Sequence, residues 1–173
     1  TGTTSVNFTN TYALDFDGDD DYVDLGNDPI LTGHPSQTIS AWAKWERGGT
    51  QSNEEDIVSS WNSGLSYLIR WDSATSKIEF YSNGAPLVGA SDTDISDAAW
   101  HHVVGVDDGA NLQVYLDGIK SSTEVSSNNS GITNADPTLI GARSSGTTDE
   151  FYGKIDDVRI YNRALTPTEI SSL

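Results

Sequence analysis

Cysteine is absent from the 173 residues, which excludes disulfides, thiolate zinc sites and a cysteine nucleophile. Methionine is absent as well, even at position 1, so the chain reads as a segment cut from a longer polypeptide and attached to other domains. No apolar run approaches the ~18 residues of a membrane-spanning helix, and no signal-peptide core occurs, so membrane insertion is not expected. Positive charge is scarce: Lys plus Arg number 9 against 26 Asp plus Glu, a net charge of −17. A field of that sign repels nucleic acid and anionic membranes and attracts cations, and nucleic acid is set aside as a partner. The same surplus also serves solubility in a salty or extracellular medium. With three histidines, a zinc site is disfavoured.

What the chain does contain is strand after strand, separated by turn residues. Candidate strands are Tyr12–Phe16, Tyr22–Leu25, Thr38–Glu46, Asp56–Trp61, Leu65–Trp71, Lys77–Tyr81, Trp100–Asp107, Leu112–Asp117, Thr138–Ala142 and Tyr152–Tyr161. Asn83-Gly84, Asp108-Gly109 and Asp117-Gly118 suit tight hairpins, because these residues accept positive φ. Ile39, Ala41 and Ala43 alternate with Ser40, Trp42 and Lys44, and Leu112, Val114 and Leu116 alternate with Gln113, Tyr115 and Asp117. One row of each set is core and the other lines a sheet face. Trp100 is assigned to the core. Only Thr166-Pro167-Thr168-Glu169 carries a helix start: an N-cap Thr, Pro at the first position and Glu as the capping-box partner. The fold class is therefore all-β, a two-sheet antiparallel β-sandwich of jelly-roll type with one short C-terminal helix. Residues 1–11, rich in Thr, Ser and Asn, read as a linker remnant, and 12–173 as a single domain.

Seven aspartates crowd between Asp15 and Asp28, with no Lys or Arg before Lys44. Two like charges ~4 Å apart repel by roughly 4 kcal/mol at an effective dielectric near 20. Either these side chains splay into water or a hard cation draws some of them together. Read as an EF-hand loop starting at Asp17, position 6 would be Tyr22 where Gly is needed. Position 12 would be Asp28 where Glu is needed, and strands flank the segment where helices should. The self-contained loop reading fails.

Four segments, taken in order, resemble the laminin G-like (LamG-like) branch of the concanavalin A-like lectin/glucanase superfamily. They are Ala13-Leu14-Asp15-Phe16-Asp17-Gly18 with Asp21-Tyr22-Val23; Thr38-Ile39-Ser40-Ala41-Trp42; Trp100-His101-His102-Val103-Val104 with Val114-Tyr115-Leu116-Asp117-Gly118; and Gly153 through Leu165, which contains Ile155-Asp156-Asp157-Val158. The resemblance implies a jelly roll whose first and last strands pair. It also implies frequent calcium binding, and glycan or protein recognition on secreted or cell-surface proteins. Fold alone does not fix function. The implied strand pairing would bring Asp17 near Asp156 or Asp157, so calcium ligands are expected at Asp17 and Asp156, with Asp21 a third. Asp156 alternates with Val158 and Ile160, which would point it inward and require a partner. The competing reading is that Arg159, Lys154 or backbone amides satisfy these acids.

No enzyme is expected. Superfamily members that cleave glycosidic bonds with retention carry Glu-x-Asp-x-x-Glu on a strand. The nearest approach here, Glu54-Glu55-Asp56-Ile57-Val58-Ser59, ends in Ser59. His101 and His102 have no nucleophile to serve and are assigned structural roles, one packed and one hydrogen-bonded. Sugar recognition needs aromatic faces beside planar hydrogen-bonding groups, and Trp61 with Asn62, Arg70 with Trp71, and Tyr81 supply such pairs. Trp42 and Tyr115 are further candidates for an open sheet face. Each of these aromatics serves either as ligand platform or as core and sheet cover. The functional expectation is a non-catalytic, calcium-binding, carbohydrate-binding module. The alternatives are a structural or protein-interaction spacer stiffened by calcium, and a glycoside hydrolase-like enzyme with atypical acids.

Overall fold

Strand alternation at residues 37–45 organises the molecule: Ile39, Ala41, Ala43 and Trp45 are buried between two sheets, leaving Ser40, Trp42 and Lys44 on the opposite face. A computed structural model describes residues 12–28, 31, 34–46, 54–61, 67–82, 88–89, 94–95, 97–127, 136–143 and 149–173. The strands are β1 (Leu14–Asp17), β2 (Val23–Asp24), β3 (Gln37–Trp45), β4 (Glu55–Ser60), β5 (Tyr67–Asp72), β6 (Lys77–Ser82) and β7 (Val88–Gly89). They continue with β8 (His101–Asp107), β9 (Asn111–Leu116), β10 (Ile119–Lys120), β11 (Val125–Ser126), β12 (Leu139–Ile140) and β13 (Tyr152–Tyr161), followed by helix α1 (Pro167–Ile170). A seven-stranded sheet runs β1-β13-β3-β8-β9-β10, with β11 also on β9, and a six-stranded sheet runs β2-β12-β4-β5-β6-β7. Every pairing is antiparallel, which gives the two-sheet sandwich expected. The linker reading of residues 1–11 and the Asn83-Gly84 turn lie outside the described residues.

The first and last strands pair as expected, Leu14 opposite Ile155 and Asp17 opposite Tyr152. The inter-sheet core is aromatic at one end. Trp45 lies 6.4 Å from Trp71 and 5.6 Å from Phe151, and Phe16 meets Phe151 edge-on at 6.1 Å. Gly105 is required where β8 meets β6 across the sandwich, because a Cβ there would fall 2.3 Å from a ring carbon of Phe80. Asp117 and Gly118 both have positive φ, 51° and 76°, the pair of left-handed residues that a two-residue hairpin needs between β9 and β10.

A second apolar cluster sits on the outside of the seven-stranded sheet, where Val104, Val106 and Tyr115 pack against Leu165 and Ile170. The C-terminal segment is tied there by Thr38, whose hydroxyl donates to the Arg163 carbonyl at 2.9 Å and accepts from the Leu165 amide at 3.0 Å. The capping box forms as the sequence suggests: Thr166 accepts from the Glu169 amide, and Glu169 accepts from the Thr166 amide.

Trp100 is a correction, because it is 39% exposed. β3 and β8 pair only as far as the Ala43–His101 rung, so Trp100 falls just beyond the paired region. His102 is stacked on Trp42 at 5.2 Å and bonded to the Ser40 hydroxyl at 2.8 Å. His101 sits between two carboxylates, Nδ1 at 2.8 Å from Asp117 and Nε2 at 2.8 Å from Asp97. Both rings have structural partners.

Candidate binding face on the six-stranded sheet

The parity of β5 decides which side chains reach the outer face of the six-stranded sheet. Tyr67, Ile69 and Trp71 belong to the inter-sheet core, so Leu68, Arg70 and Asp72 occupy the opposite face. On β6, Ile78 and Phe80 are core, which leaves Glu79 and Tyr81 beside Arg70 and Leu68. The register places Arg70 opposite Glu79 and Leu68 opposite Tyr81. On β4 an irregularity between Asp56 and Val58 brings Asp56 opposite Arg70, while Ile57 and Val58 both enter the core. This register shift is what puts an acid beside the arginine.

Arg70 is 5% exposed, and its guanidinium is fully engaged. Nε donates to Glu79 at 3.0 Å, Nη1 bonds Glu54, and Nη2 reaches the Tyr81 hydroxyl at 3.1 Å. The guanidinium carbon also lies 5.0 Å from the Tyr81 ring centroid, within cation–π range. Arg143, from the segment after β12, extends the cluster. Its Nε lies 2.8 Å from Asp149 and 3.3 Å from Asp56, and its Nη2 lies 3.4 Å from the Glu54 oxygen that Arg70 also holds. Four carboxyls thus surround two guanidiniums.

Burial sets the protonation of this group. Desolvation pushes Asp56 from 3.8 up to about 7, against the pull of Arg143 and with the repulsion of Asp149 adding to it. One Asp56 oxygen, Oδ1, is buried without a hydrogen-bond partner among the described residues. Desolvation also raises Glu79 and Asp149, and burial drives the Tyr81 hydroxyl up to about 12. Tyr81 is therefore a neutral hydroxyl at any physiological pH.

The open part of this face is aromatic and polar together. Trp61 and Tyr81 meet at 5.4 Å with ring planes 61° apart, both half-buried. The Glu54 side chain beside them is 38% exposed and that of Arg143 is 24% exposed. Aromatic faces next to immobilised planar hydrogen-bonding groups can take up a sugar ring, with C–H groups against the rings and hydroxyls toward the charged atoms.

Of the expected ligand-binding residues, Trp61, Arg70 and Tyr81 converge here. Asn62 lies outside the described residues. Trp71 is a correction: it is 6% exposed and packs inside the sandwich, because neighbours on one strand cannot share a face with Arg70 outward. Arg143 and Glu79 were not foreseen. Arg143 lies in no alternating strand, and its one sequence signal is its rarity among nine basic residues.

The expected metal set divides similarly. Carboxylate oxygens of Asp17, Asp20 and Asp21 fall within 4.8 Å of one another on the exposed turn after β1. Within that turn, Asp17 accepts from the Asp19 amide at 3.0 Å, and Asp21 accepts from the Asp17 amide at 3.1 Å. Asp156 is a correction. With Asp17 opposite Tyr152, Asp156 lies four residues further along β13, about 13 Å away at the ~3.3 Å rise of a strand. Nor does Asp156 share a face with Val158 and Ile160. Asp156 pairs with Trp42 and Arg159 with Ser40, so one extra residue is inserted, and Asp157 takes φ of 48°. This bulge resets the alternation. Its acids have local partners, as the competing reading held: Arg159 binds Asp157 at 3.0 and 2.7 Å, and the Asp157 amide donates to Asp156. Lys154 pairs with Asp15 across the β1–β13 rung.

No curated protein sequence matches the chain significantly, but solved structures with this fold do. Domain 4 of AbnA, an extracellular arabinanase of Geobacillus stearothermophilus, solved with arabinotriose, superposes with a TM-score of 0.72 at 19% identity. That match covers 96% of this chain and 78% of that one. The CBM40 of the Ruminococcus gnavus IT-sialidase, bound to α2,3 sialyllactose, gives 0.71 at 12% identity, over 92% and 95%. A putative carbohydrate-binding protein from Bacteroides ovatus gives 0.69 at 19% identity over 92% of this chain, which spans only 45% of that protein. The Laminin_G_3 family model matches residues 17–171. The chain therefore belongs to the concanavalin A-like lectin/glucanase superfamily.

Proposed function

We propose that this chain is a non-catalytic, lectin-like carbohydrate-binding module of a larger secreted or cell-surface protein, with its ligand platform on the outer face of the six-stranded sheet. The observation that carries the reading is the Trp61–Tyr81 pair at 5.4 Å beside Glu54 and Tyr81, both fixed by the buried Arg70. Similar structures holding arabinotriose and sialyllactose support the ligand class. The absence of catalysis is supported by the state of the acids. Glu54 and Glu79 are each ion-paired to arginine and Asp56 is wholly buried, so these three acids of the face do not form a free acid–nucleophile pair. Isothermal titration against a panel of oligosaccharides, comparing the wild type with Trp61→Ala, tests the platform. Binding that Trp61→Ala abolishes upholds it, and undiminished binding by that variant overturns it.

Calcium belongs to the same proposal, as a brace held by Asp17, Asp20 and Asp21. Convergence of three exposed carboxylates on one turn supports a hard, oxygen-seeking cation. A second reading, a structural or protein-interaction domain, is favoured by one observation: Leu68, Leu139, Arg70 and Glu79 on the same sheet face are all under 9% exposed. A spacer would bind no glycan in the titration and would still be stabilised by calcium.

A further inference from the structure

We infer that the binding face selects uncharged glycans and rejects acidic ones, an inference that rests on the glycan-binding reading above. A sugar carboxylate is normally captured by an arginine offering two parallel N–H donors. Both arginines that the described residues place on this face already hold acids. Arg70 directs its three nitrogens at Glu79, Glu54 and Tyr81, and Arg143 faces Asp149, Asp56 and Glu54. The Nε–Nη2 fork of each guanidinium is therefore filled, and an incoming carboxylate is left only the Nη1 edge of Arg143, beside Glu54.

The local field adds to this exclusion. Glu54, Asp56, Glu79 and Asp149 outnumber Arg70 and Arg143, and Lys77, the remaining cation on this face among the described residues, stands opposite Asp72. The whole chain carries −17. In a partly buried site such charges are screened only weakly by salt. Hydroxyl groups fare differently: Glu54 and Tyr81 can accept or donate to them without displacing an ion pair, and the half-exposed rings of Trp61 and Tyr81 accept the apolar side of a neutral sugar.

Glu54 is the key of this arrangement. One of its oxygens bridges both guanidiniums, and its side chain is 38% exposed, so it occupies the place where a ligand carboxylate would bind. The test is isothermal titration with pairs of sugars that differ in a carboxylate: galactotriose against trigalacturonate, and lactose against sialyllactose. A wider panel of neutral arabino-, xylo- and gluco-oligosaccharides accompanies them. Wild-type protein is expected to bind at least one neutral sugar tenfold or more tightly than any acidic one. Glu54→Gln is expected to raise affinity for the acidic member of a pair severalfold, a gain that misfolding cannot mimic. An acidic sugar bound by the wild type more tightly than its neutral partner, or a Glu54→Gln variant with no gain toward acids, overturns the selectivity and leaves the glycan platform standing. No binding to sugars of either class overturns the platform itself.

Discussion

Replacing Arg70 by Leu tests whether the charged cluster under the binding face is a buried network or a set of solvated surface pairs. Arg70 is 5% exposed and Glu79 is 6% exposed, so the substitution strands a carboxylate that burial already disfavours. Removing one partner of a buried ion pair costs about 3–5 kcal/mol. For a domain of this size each kcal/mol moves the melting temperature by about 2–4 °C, which places the expected drop at roughly 6–20 °C. Replacing both partners, Arg70→Leu with Glu79→Leu, removes the stranded charge as well, and such exchanges are often neutral or stabilising. The double variant is therefore expected to recover most of the loss. The defect of the single variant should also shrink at low pH, where Glu79 protonates and its burial as a neutral acid costs less. Differential scanning calorimetry at pH 7 and pH 5 measures all three effects. A single variant within about 1 kcal/mol of wild type, or a double variant no better than the single, would show that these are solvated surface pairs.

Other predictions concern titration and metal. Because the folded state holds the Asp56 proton more tightly than the unfolded chain, raising its pKa from 3.8 to about 7, stability conferred at low pH is lost as pH rises between those values. Asp56→Asn should flatten that dependence, and urea unfolding across pH 4–8 should show the two proteins diverging in the variant's favour as pH rises. An unchanged slope contradicts the buried placement of Asp56. For His101, burial lowers the pKa but is outweighed by the Asp97 and Asp117 hydrogen bonds, so the net shift is upward; desolvation lowers His102. The histidine ring protons, followed by NMR, should therefore titrate with His101 above 6.5 and His102 below it, and the reverse order would refute the carboxylate clamp. Calcium should raise the melting temperature of the wild type and of Asp156→Asn, and have little effect on Asp17→Asn with Asp21→Asn. Loss of the response in Asp156→Asn would restore the two-strand cage that the register argues against.

Local pattern carried the architecture wherever a strand keeps the period of two, as β3 and β9 do. Ile39, Ala41 and Ala43 turned inward as their alternation required, and Leu112, Val114 and Leu116 did the same on β9. The helix start at Thr166 was legible because a capping box is a contact between near neighbours. Asp156 was misplaced because a bulge inserts a residue at Asp157, and nothing in Asp-Asp-Val announces where parity slips. Trp71 was a different failure, since strand alternation alone separates it from Arg70. Arg143 was invisible for a third reason. It joins Asp56 across 87 residues, and only the three-dimensional fold brings those segments together. Asp20 escaped because the expected metal set follows the implied pairing of the first and last strands, whereas a left-handed residue at Gly18, with φ of 75°, turns the chain so that Asp20 joins Asp17 and Asp21.

The five tryptophans offer the most direct test of the binding face, because each marks a different part of the molecule. Trp45 and Trp71 lie in the core, Trp42 and Trp100 belong to the seven-stranded sheet and its approach, and Trp61 stands beside Tyr81. Titrating a bound neutral oligosaccharide into 15N-labelled protein and following the indole N–H resonances locates the ligand in one experiment. The expected result is a saturable shift of the Trp61 indole with the other four nearly unmoved. Saturable shifts at Trp42 or Trp100 with Trp61 unmoved would place the ligand on the seven-stranded sheet and rule out the Trp61–Tyr81 platform.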